Sequence, residues 1–455
     1  MAPLHIVILA AGQGKRMRSD LPKVLQPVAG RPLLAHVIDV ARELNPEAIH
    51  VVYGHRGEQV QAAFENQPDL RWALQAEQLG TGHAVQMALP AIDDEAQVLV
   101  LLGDAPLMTA ASLREVADEA AVGLAVLSAR VPDPTGYGRI VRGNDGGLTA
   151  IVEHKDAAPE QLLIDEVNSG VIGAPAWHLR TWLDQVDRGN AQGEFYLTDC
   201  VSIAREASSP VKAVMAADAE EILGANDRWQ LSQLERLWQQ RAVLKLCNDG
   251  ALVLDPARVD IRGTVSVDAG VVIDVNTVFE GDVALAQDVI IGPHCVVKDC
   301  QLGPRTRVQS HCVLEGVTTE GNCDIGPYAR LRPGTELAVE TKVGNFVETK
   351  KARLGKGSKA SHLSYLGDAA IGEGVNIGAG TITCNYDGAN KHQTVIEDGV
   401  FIGSDTQLVA PVTVGQNTTV GAGTTLTKDA PPDTLVISRV RQTVIEGWEK
   451  PTKKK

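Results

Sequence analysis

A count of six organises the second half of this chain. From Ile261 an aliphatic or aromatic residue returns at Val267, Ile273, Phe279, Leu285, Ile291 and Val297. After a break in phase the count resumes at Leu302, Val308 and Leu314, and again at Ile325, Leu331, Leu337 and Val343. It reappears at Ile371 and Ile377, and lastly at Ile402, Leu408, Val414, Val420 and Leu426. Glycine often follows, as in Ile291-Gly292, Leu302-Gly303 and Ile402-Gly403. Neither an α-helix of period 3.6 nor an alternating strand yields a strict six. A coil of short strands joined by tight turns does, because each turn drops one side chain into a shared axial stack. An ordinary glycine-rich sandwich would vary its strand lengths and lose the count. The count lapses at 344–370 and 378–401, which predicts two loops on a rigid scaffold, where binding residues tend to sit.

The pattern resembles the hexapeptide repeat of left-handed parallel β-helices, three hexads to a triangular turn. With strand layers about 4.8 Å apart, roughly nine turns make a prism about 40 Å long. The left hand is implied by that resemblance, since parallel crossovers ordinarily run the other way.

The first half reads differently. Continuous apolar runs at 4–9, 49–52, 98–102 and 123–128 alternate with helical segments at 31–44 and 112–121, which predicts an α/β domain with a mostly parallel sheet. Ligands of such sheets gather at the carboxyl ends of the strands. A helical pattern over 227–247, closed by Asp249-Gly250, follows this domain. The expected boundaries are therefore 1–226, a helix at 227–248, and the repeat domain at 249–455. The 455 residues, 44% hydrophobic and 22% charged, suit a soluble protein of two or three domains. The apolar residues 6–11 are too few for a signal core and no stretch has membrane-spanning length. Seven cysteines without a CxxC pair indicate neither a disulfide framework nor zinc, and fit a reducing cytoplasm. A net charge of −15 argues against nucleic acid as a partner, and the Lys453-Lys454-Lys455 tail reads as a solvated end.

The first strand end reads Leu9-Ala10-Ala11-Gly12-Gln13-Gly14-Lys15-Arg16-Met17, followed by Leu21-Pro22-Lys23. Small residues let backbone N–H groups approach a phosphate, while Arg16 and Lys23 can neutralise its charge. It is no dinucleotide fingerprint, since GxGxxG fails at Met17, and a Gly-x-Gly turn alone is most often plain turn chemistry. Further on, Gly103-Asp104 ends a strand with a carboxylate where a hard metal ion could bridge it to phosphate. By itself Asp104 could be a loop acid, and Asn226 or Asp227 a helix cap. Within 328–391, Arg332, Lys350 and Lys391 could clamp a sugar phosphate, with His362 among them as a candidate general base. The remaining histidines, including His83 in a glycine-rich turn and His294 and His311 at repeat turns, suit structural roles.

The whole first loop resembles the signature of sugar-1-phosphate nucleotidyltransferases, with Lys15 where that family usually has threonine and Leu102 where it commonly has tyrosine. The resemblance implies a base-reading segment at Gln75 and Gln78-Leu79-Gly80-Thr81-Gly82-His83. It implies sugar contacts at Gly138 of Gly136-Tyr137-Gly138-Arg139, Glu153 and Asn168, with Mg²⁺ on Asp104 and Asn226. Both halves together resemble the bifunctional bacterial N-acetylglucosamine-1-phosphate uridylyltransferases and glucosamine-1-phosphate N-acetyltransferases, over almost the whole chain. That likeness implies UTP or UDP-N-acetylglucosamine contacts at Leu9, Ala10, Ala11, Gly12, Lys23, Gln75, Gly80, Thr81, Gly103, Asp104, Gly138, Glu153, Asn168 and Asn226. Arg16 and Lys23 are implied in catalysis of uridylyl transfer. For glucosamine 1-phosphate it implies Arg332, Lys350, Tyr365, Asn376 and Lys391, with His362 the base. For acetyl-CoA it implies Ala379, Asn385, Tyr386, Ser404, Ala422 and Arg439, with the oxyanion held by N–H groups of the Gly378–Gly380 turn. A cytoplasmic homotrimer supplying peptidoglycan and lipopolysaccharide precursors is also implied. Two other readings compete: a single nucleotidyltransferase whose β-helix only oligomerises, and a scaffold without catalysis. The cations and His362 within the repeat argue against the first, and the intact Gly12-Gly14-Arg16-Lys23 loop against the second.

Overall fold

The computed structural model describes residues 2–12, 14–451 and 453; Gln13, the Lys15 side chain and Lys454-Lys455, all noted above, lie outside the described residues. Contacts divide the chain into two units, Met1–Trp238 and Gln239–Lys455. The dividing point falls inside one helix, Arg228–Asn248. In the first unit Leu234 of this helix is buried with Met17, Val28 and Leu33, and Glu235 accepts a hydrogen bond from the Ala29 N–H at 2.7 Å. In the second, the buried Gln239 amide bonds both the N–H and the carbonyl of Ile261. Among the described residues no helix is long and apolar enough to cross a membrane.

The first unit is built on one sheet in the order Val211–Met215, Leu124–Arg130, Glu166–Pro175, Gln97–Leu102, Leu4–Leu9, Ala48–Tyr53, Leu70–Leu74. Neighbours in this order are parallel except around Glu166–Pro175, which is antiparallel to the strands on either side of it. The continuous apolar runs follow from burial on both faces: Ile6, Ile8, Leu99 and Leu101 face one core, Val7, Val98 and Val100 the other. The expected helix at 31–44 is Leu33–Arg42, because Pro32 cannot lie inside it and serves as its N-cap. The one at 112–121 is Ala110–Glu119, started two residues early by Thr109, whose hydroxyl accepts the Ser112 N–H.

The second unit is a parallel β-helix with three inward columns. Ile273, Ile291, Val308, Ile325, Val343, Ala360, Ile377, Ile402 and Val420 form one; all are buried. Another runs through Phe279, Val297, Leu314, Leu331, Thr349 and Leu366, and the third through Leu285, Leu302, Thr319, Leu337, Leu354 and Ile371. The expected loop at 344–370 is absent. Strands Lys342–Asn345, Glu348–Leu354, Lys359–His362 and Tyr365–Ile371 continue the coil there. The aliphatic count misses this stretch because Thr349, fully buried, and Ala360 fill inward places, and because several coils are one residue short of three hexads. The lapse at 378–401 holds a shorter insertion than expected: strands Ile382–Cys384 and Thr394–Ile396 continue the coil within it, the extra residues lie between them, and Asn376 pairs with Phe401, a wider spacing than any neighbouring coil.

Corners of the coil take left-handed backbone. Asn276, His294, His311, Tyr328, Phe346 and Leu363 occupy one corner column, all at φ between 47° and 60°. Their rings stack, His294 on His311 at 4.7 Å, His311 on Tyr328 at 4.8 Å and Tyr328 on Phe346 at 5.4 Å.

Candidate functional site

In the first unit a cleft of about 610 Å³ opens where Leu4–Leu9 and Gln97–Leu102 end. Among the expected residues, Leu9, Arg16, Lys23, Thr81, Asp104, Gly138, Glu153, Asn168 and Asn226 line it. The others do not line it. Ala10 and Ala11 are buried, and the Gly103 N–H donates to the Leu9 carbonyl, tying the two strand ends together. Gln75, buried, donates from Nε2 to the Gly80 carbonyl at 3.0 Å, and so shapes the turn expected to read the base. Gly80 sits at φ 119°, with Phe195 backbone against the place a Cβ would take. Gly12 is exposed, with open space on its Cβ side.

The Lys23 ammonium bridges two side chains far apart in sequence. It pairs with Asp104 Oδ2 and donates to Asn226 Oδ1 at 2.9 Å. The alternative role of Asn226 as a helix cap falls instead to Asp227, whose Oδ1 accepts the Gln230 N–H at 2.8 Å. Gln230 Oε1 in turn accepts the Asn226 N–H at 2.7 Å, an arrangement close to a capping box. The Asn226 side-chain oxygen is thereby free to face the cleft. A carboxylate and an amide oxygen aimed at one cationic atom are the donor set a hard divalent ion takes, so Asp104 and Asn226 fit Mg²⁺.

Opposite them, Gly138 stands where a Cβ would lie 3.4 Å from Glu153 Oε1. Burial raises the Glu153 pKa, and a hydrogen bond from the Thr198 hydroxyl, at 3.1 Å, opposes the rise. Burial also lifts Asp199 to about 6, assisted by Asp187 and Glu153. Asn168 Oδ1 accepts the Gly170 N–H at 3.1 Å beside a register shift in its strand. Thr198 lines the cleft and was not legible as a site residue. It lies 45 residues from Glu153, in a short 3-10 turn without motif character.

In the second unit His362 Nδ1 meets Asn345 Oδ1 at 2.8 Å, the two residues being paired on adjacent coils. An amide oxygen only accepts, so Nδ1 is the donor in this contact, which in the neutral ring leaves Nε2 its lone pair. Lys350 has its pKa lowered, first by a side-chain contact with Lys391 and by its charge, then by Arg332. The three expected cations therefore crowd one place, with Arg332 also paired to Glu348 at 2.9 Å. Lys391 arrives there on the insertion, within which Tyr386 and Lys391 form an antiparallel bridge. Asp387 ties it by accepting the Ala389 and Asn390 N–H groups and facing His392. The Tyr365 hydroxyl and the Asn385 amide both lie over Gly367, and Asn385 donates to Asp368. Asn376 is on the next strand. Ser404 and Ala422 follow on successive coils, where the Gly423 N–H donates to the Ser404 carbonyl, and the Arg439 side chain runs along Gly421 and Gly423. In the expected oxyanion turn, the Gly380 N–H already donates to Leu363 at 3.0 Å, while the Ala379 carbonyl accepts from Asp405.

Two family models match: a MobA-like NTP transferase domain over residues 6–166 and a bacterial transferase hexapeptide of six repeats over 393–428. Full-length relatives carry both halves. The Bifunctional protein GlmU of Stenotrophomonas maltophilia strain K279a is 59% identical over 99% of each chain. This chain belongs to the GlmU family. GlmU proteins of Xanthomonas euvesicatoria and Xylella fastidiosa strain M23 are 58% and 55% identical, again over 99% of both chains. As a member of that family it is a bifunctional enzyme, a uridylyltransferase and an acetyltransferase.

Proposed function

We propose that the β-helix acetylates glucosamine 1-phosphate from acetyl-CoA, and that the cleft of the first unit then transfers UMP from UTP to the N-acetylglucosamine 1-phosphate so formed. In acetyl transfer, Arg332, Lys350 and Lys391 hold the sugar phosphate. His362 Nε2 takes the proton from the substrate amine, which attacks the thioester carbonyl; coenzyme A thiolate leaves and is protonated. With the Gly380 amide engaged, the developing oxyanion falls to the N–H groups of Gly378 or Ala379. Tyr365 and Asn376 complete the sugar site, and Ala379, Asn385, Tyr386, Ser404, Ala422 and Arg439 hold acetyl-CoA.

In uridylyl transfer a phosphate oxygen of the sugar phosphate attacks the α-phosphorus of UTP and pyrophosphate leaves. The nucleophile is already an anion, so no base is required, and catalysis is positioning plus charge neutralisation. Arg16 and Lys23 face the phosphates, Gln75, Gly80 and Thr81 the base, and Gly138, Glu153 and Asn168 the sugar. Mg²⁺, when bound at Asp104 and Asn226, neutralises charge on the phosphates. Supporting this reading above all is the convergence of Lys23, Asp104 and Asn226 in the same cleft as Gly138, Glu153 and Asn168. A homotrimer in the cytoplasm is part of the proposal, its assembly supported by the exposed apolar corner at Tyr328, Phe346 and Leu363.

The test follows free thiol and pyrophosphate together in purified protein given glucosamine 1-phosphate, acetyl-CoA, UTP and Mg²⁺. Thiol should form without UTP, and pyrophosphate only once the amine is acetylated. Pyrophosphate from supplied N-acetylglucosamine 1-phosphate, with thiol never appearing, would reduce the β-helix to a scaffold.

A further inference from the structure

Resting on the reading of Asp104 and Asn226 as metal ligands, we propose that the Lys23 ammonium and the divalent cation are alternative occupants of one position. The cation enters between Asp104 and Asn226 as Lys23 is drawn away by the phosphates of the nucleotide. The atoms themselves argue for exclusion. Asp104 Oδ2 and Asn226 Oδ1 are the oxygens that hold Lys23 Nζ, and they are the oxygens offered to a metal. An ammonium held at hydrogen-bond distance and Mg²⁺ at about 2.0–2.1 Å cannot share them. Nor would two positive groups coexist there cheaply, because the Lys23 and Asp104 side chains are 16% and 18% exposed, so that water screens their repulsion poorly.

The surroundings leave Lys23 free to move at its tip alone. Its Cβ packs 2.8 Å from where a Cβ on Gly14 would lie, so the stem is pinned beneath the glycine-rich loop. The far end is a point charge on a flexible chain, able to exchange one oxygen cluster for another. Asn226 stays aimed by the Gln230 contact to its own N–H. Phosphate oxygens give the departing ammonium a new partner, so nucleotide and metal assist each other, whereas metal alone must compete with Lys23. Such mutual assistance is a coupling free energy between two ligands.

The experiment titrates Mn²⁺, a paramagnetic ion suited to oxygen ligands, into the full-length protein without nucleotide, and counts free ion by electron paramagnetic resonance. Lys23→Met keeps the stem and removes the charge; Lys23→Gln is a second neutral variant, and circular dichroism verifies the fold of each. Both should bind Mn²⁺ roughly five- to hundredfold more tightly than the parent protein, the ordinary span of a two-ligand coupling. Lys23→Arg, still charged, should bind as weakly as the parent, and Asp104→Ala should remove the added affinity from Lys23→Met. Folded neutral variants that bind no more tightly than the parent, while Asp104→Ala still abolishes binding, would overturn the exchange and leave the metal site standing. Binding indifferent to Asp104→Ala in every background would instead remove the metal site on which the proposal rests.

Discussion

At the scale of single residues, two contacts unread in the sequence orient two side chains that were read. Asn345 fixes the tautomer of His362 through one hydrogen bond. Asn345→Ala should lower the acetylation kcat roughly 10- to 100-fold, as when a partner that orients a histidine is removed, with uridylyl transfer unchanged. Asn345→Asp, which retains an acceptor, should recover most of the rate; steady-state assays of both activities decide it. Thr198 plays the corresponding part for Glu153. Thr198→Val should raise the KM for N-acetylglucosamine 1-phosphate about tenfold, the worth of one hydrogen bond to a charged group. Its hydroxyl stabilises the carboxylate, so its loss lets burial raise the Glu153 pKa further. The acid limb of the kcat/KM profile should therefore move to higher pH, and Thr198→Ser should restore it.

At the scale of elements, adjacent strands Leu4–Leu9 and Ala48–Tyr53 bury a histidine pair outside both sites. His5 Nδ1 and His50 Nε2 lie 3.0 Å apart, both rings almost inaccessible. Burial first, then the neighbouring His5 and Arg71, lowers His50 from 6.5 to about 4, while burial lowers His5 against an opposing pull from Glu47. Between those values the unfolded chain binds a proton that the folded one refuses. Stability should then be fully present above pH 6.5 and decline as pH falls toward 4, by up to about 3 kcal/mol. Urea unfolding at pH 7.5 and 5 measures the slope, which His50→Asn should flatten. Elements also show where pattern reading stops. The parallel sheet and the coil were legible because burial on both faces and a fixed repeat leave a local trace. The coil at 344–370 was not, because Thr349 and Ala360 satisfy an inward position without looking apolar enough to count.

At the scale of the molecule, each half holds its own chemistry. Asp104→Ala should lose pyrophosphate release and keep acetylation, and His362→Ala should do the reverse. Mixed in equal amounts, the two variants should convert glucosamine 1-phosphate to the uridine diphosphate sugar, read by chromatography. A mixture that stays inactive while each variant keeps its surviving activity would mean that the intermediate never leaves the chain that makes it. Sequence by itself determined the period of the coil, the strand-ending loop at Leu9 and the order of the two halves, since all are written in residues near one another along the chain. It also named Lys23, Asp104, Asn226, Glu153 and His362, but not their partners. Tertiary structure alone decided that Lys23 meets Asn226 across 203 positions and Thr198 meets Glu153 across 45. Sheet order and coil register bring such pairs together, and a hydrogen bond between distant side chains leaves no periodic trace in either segment.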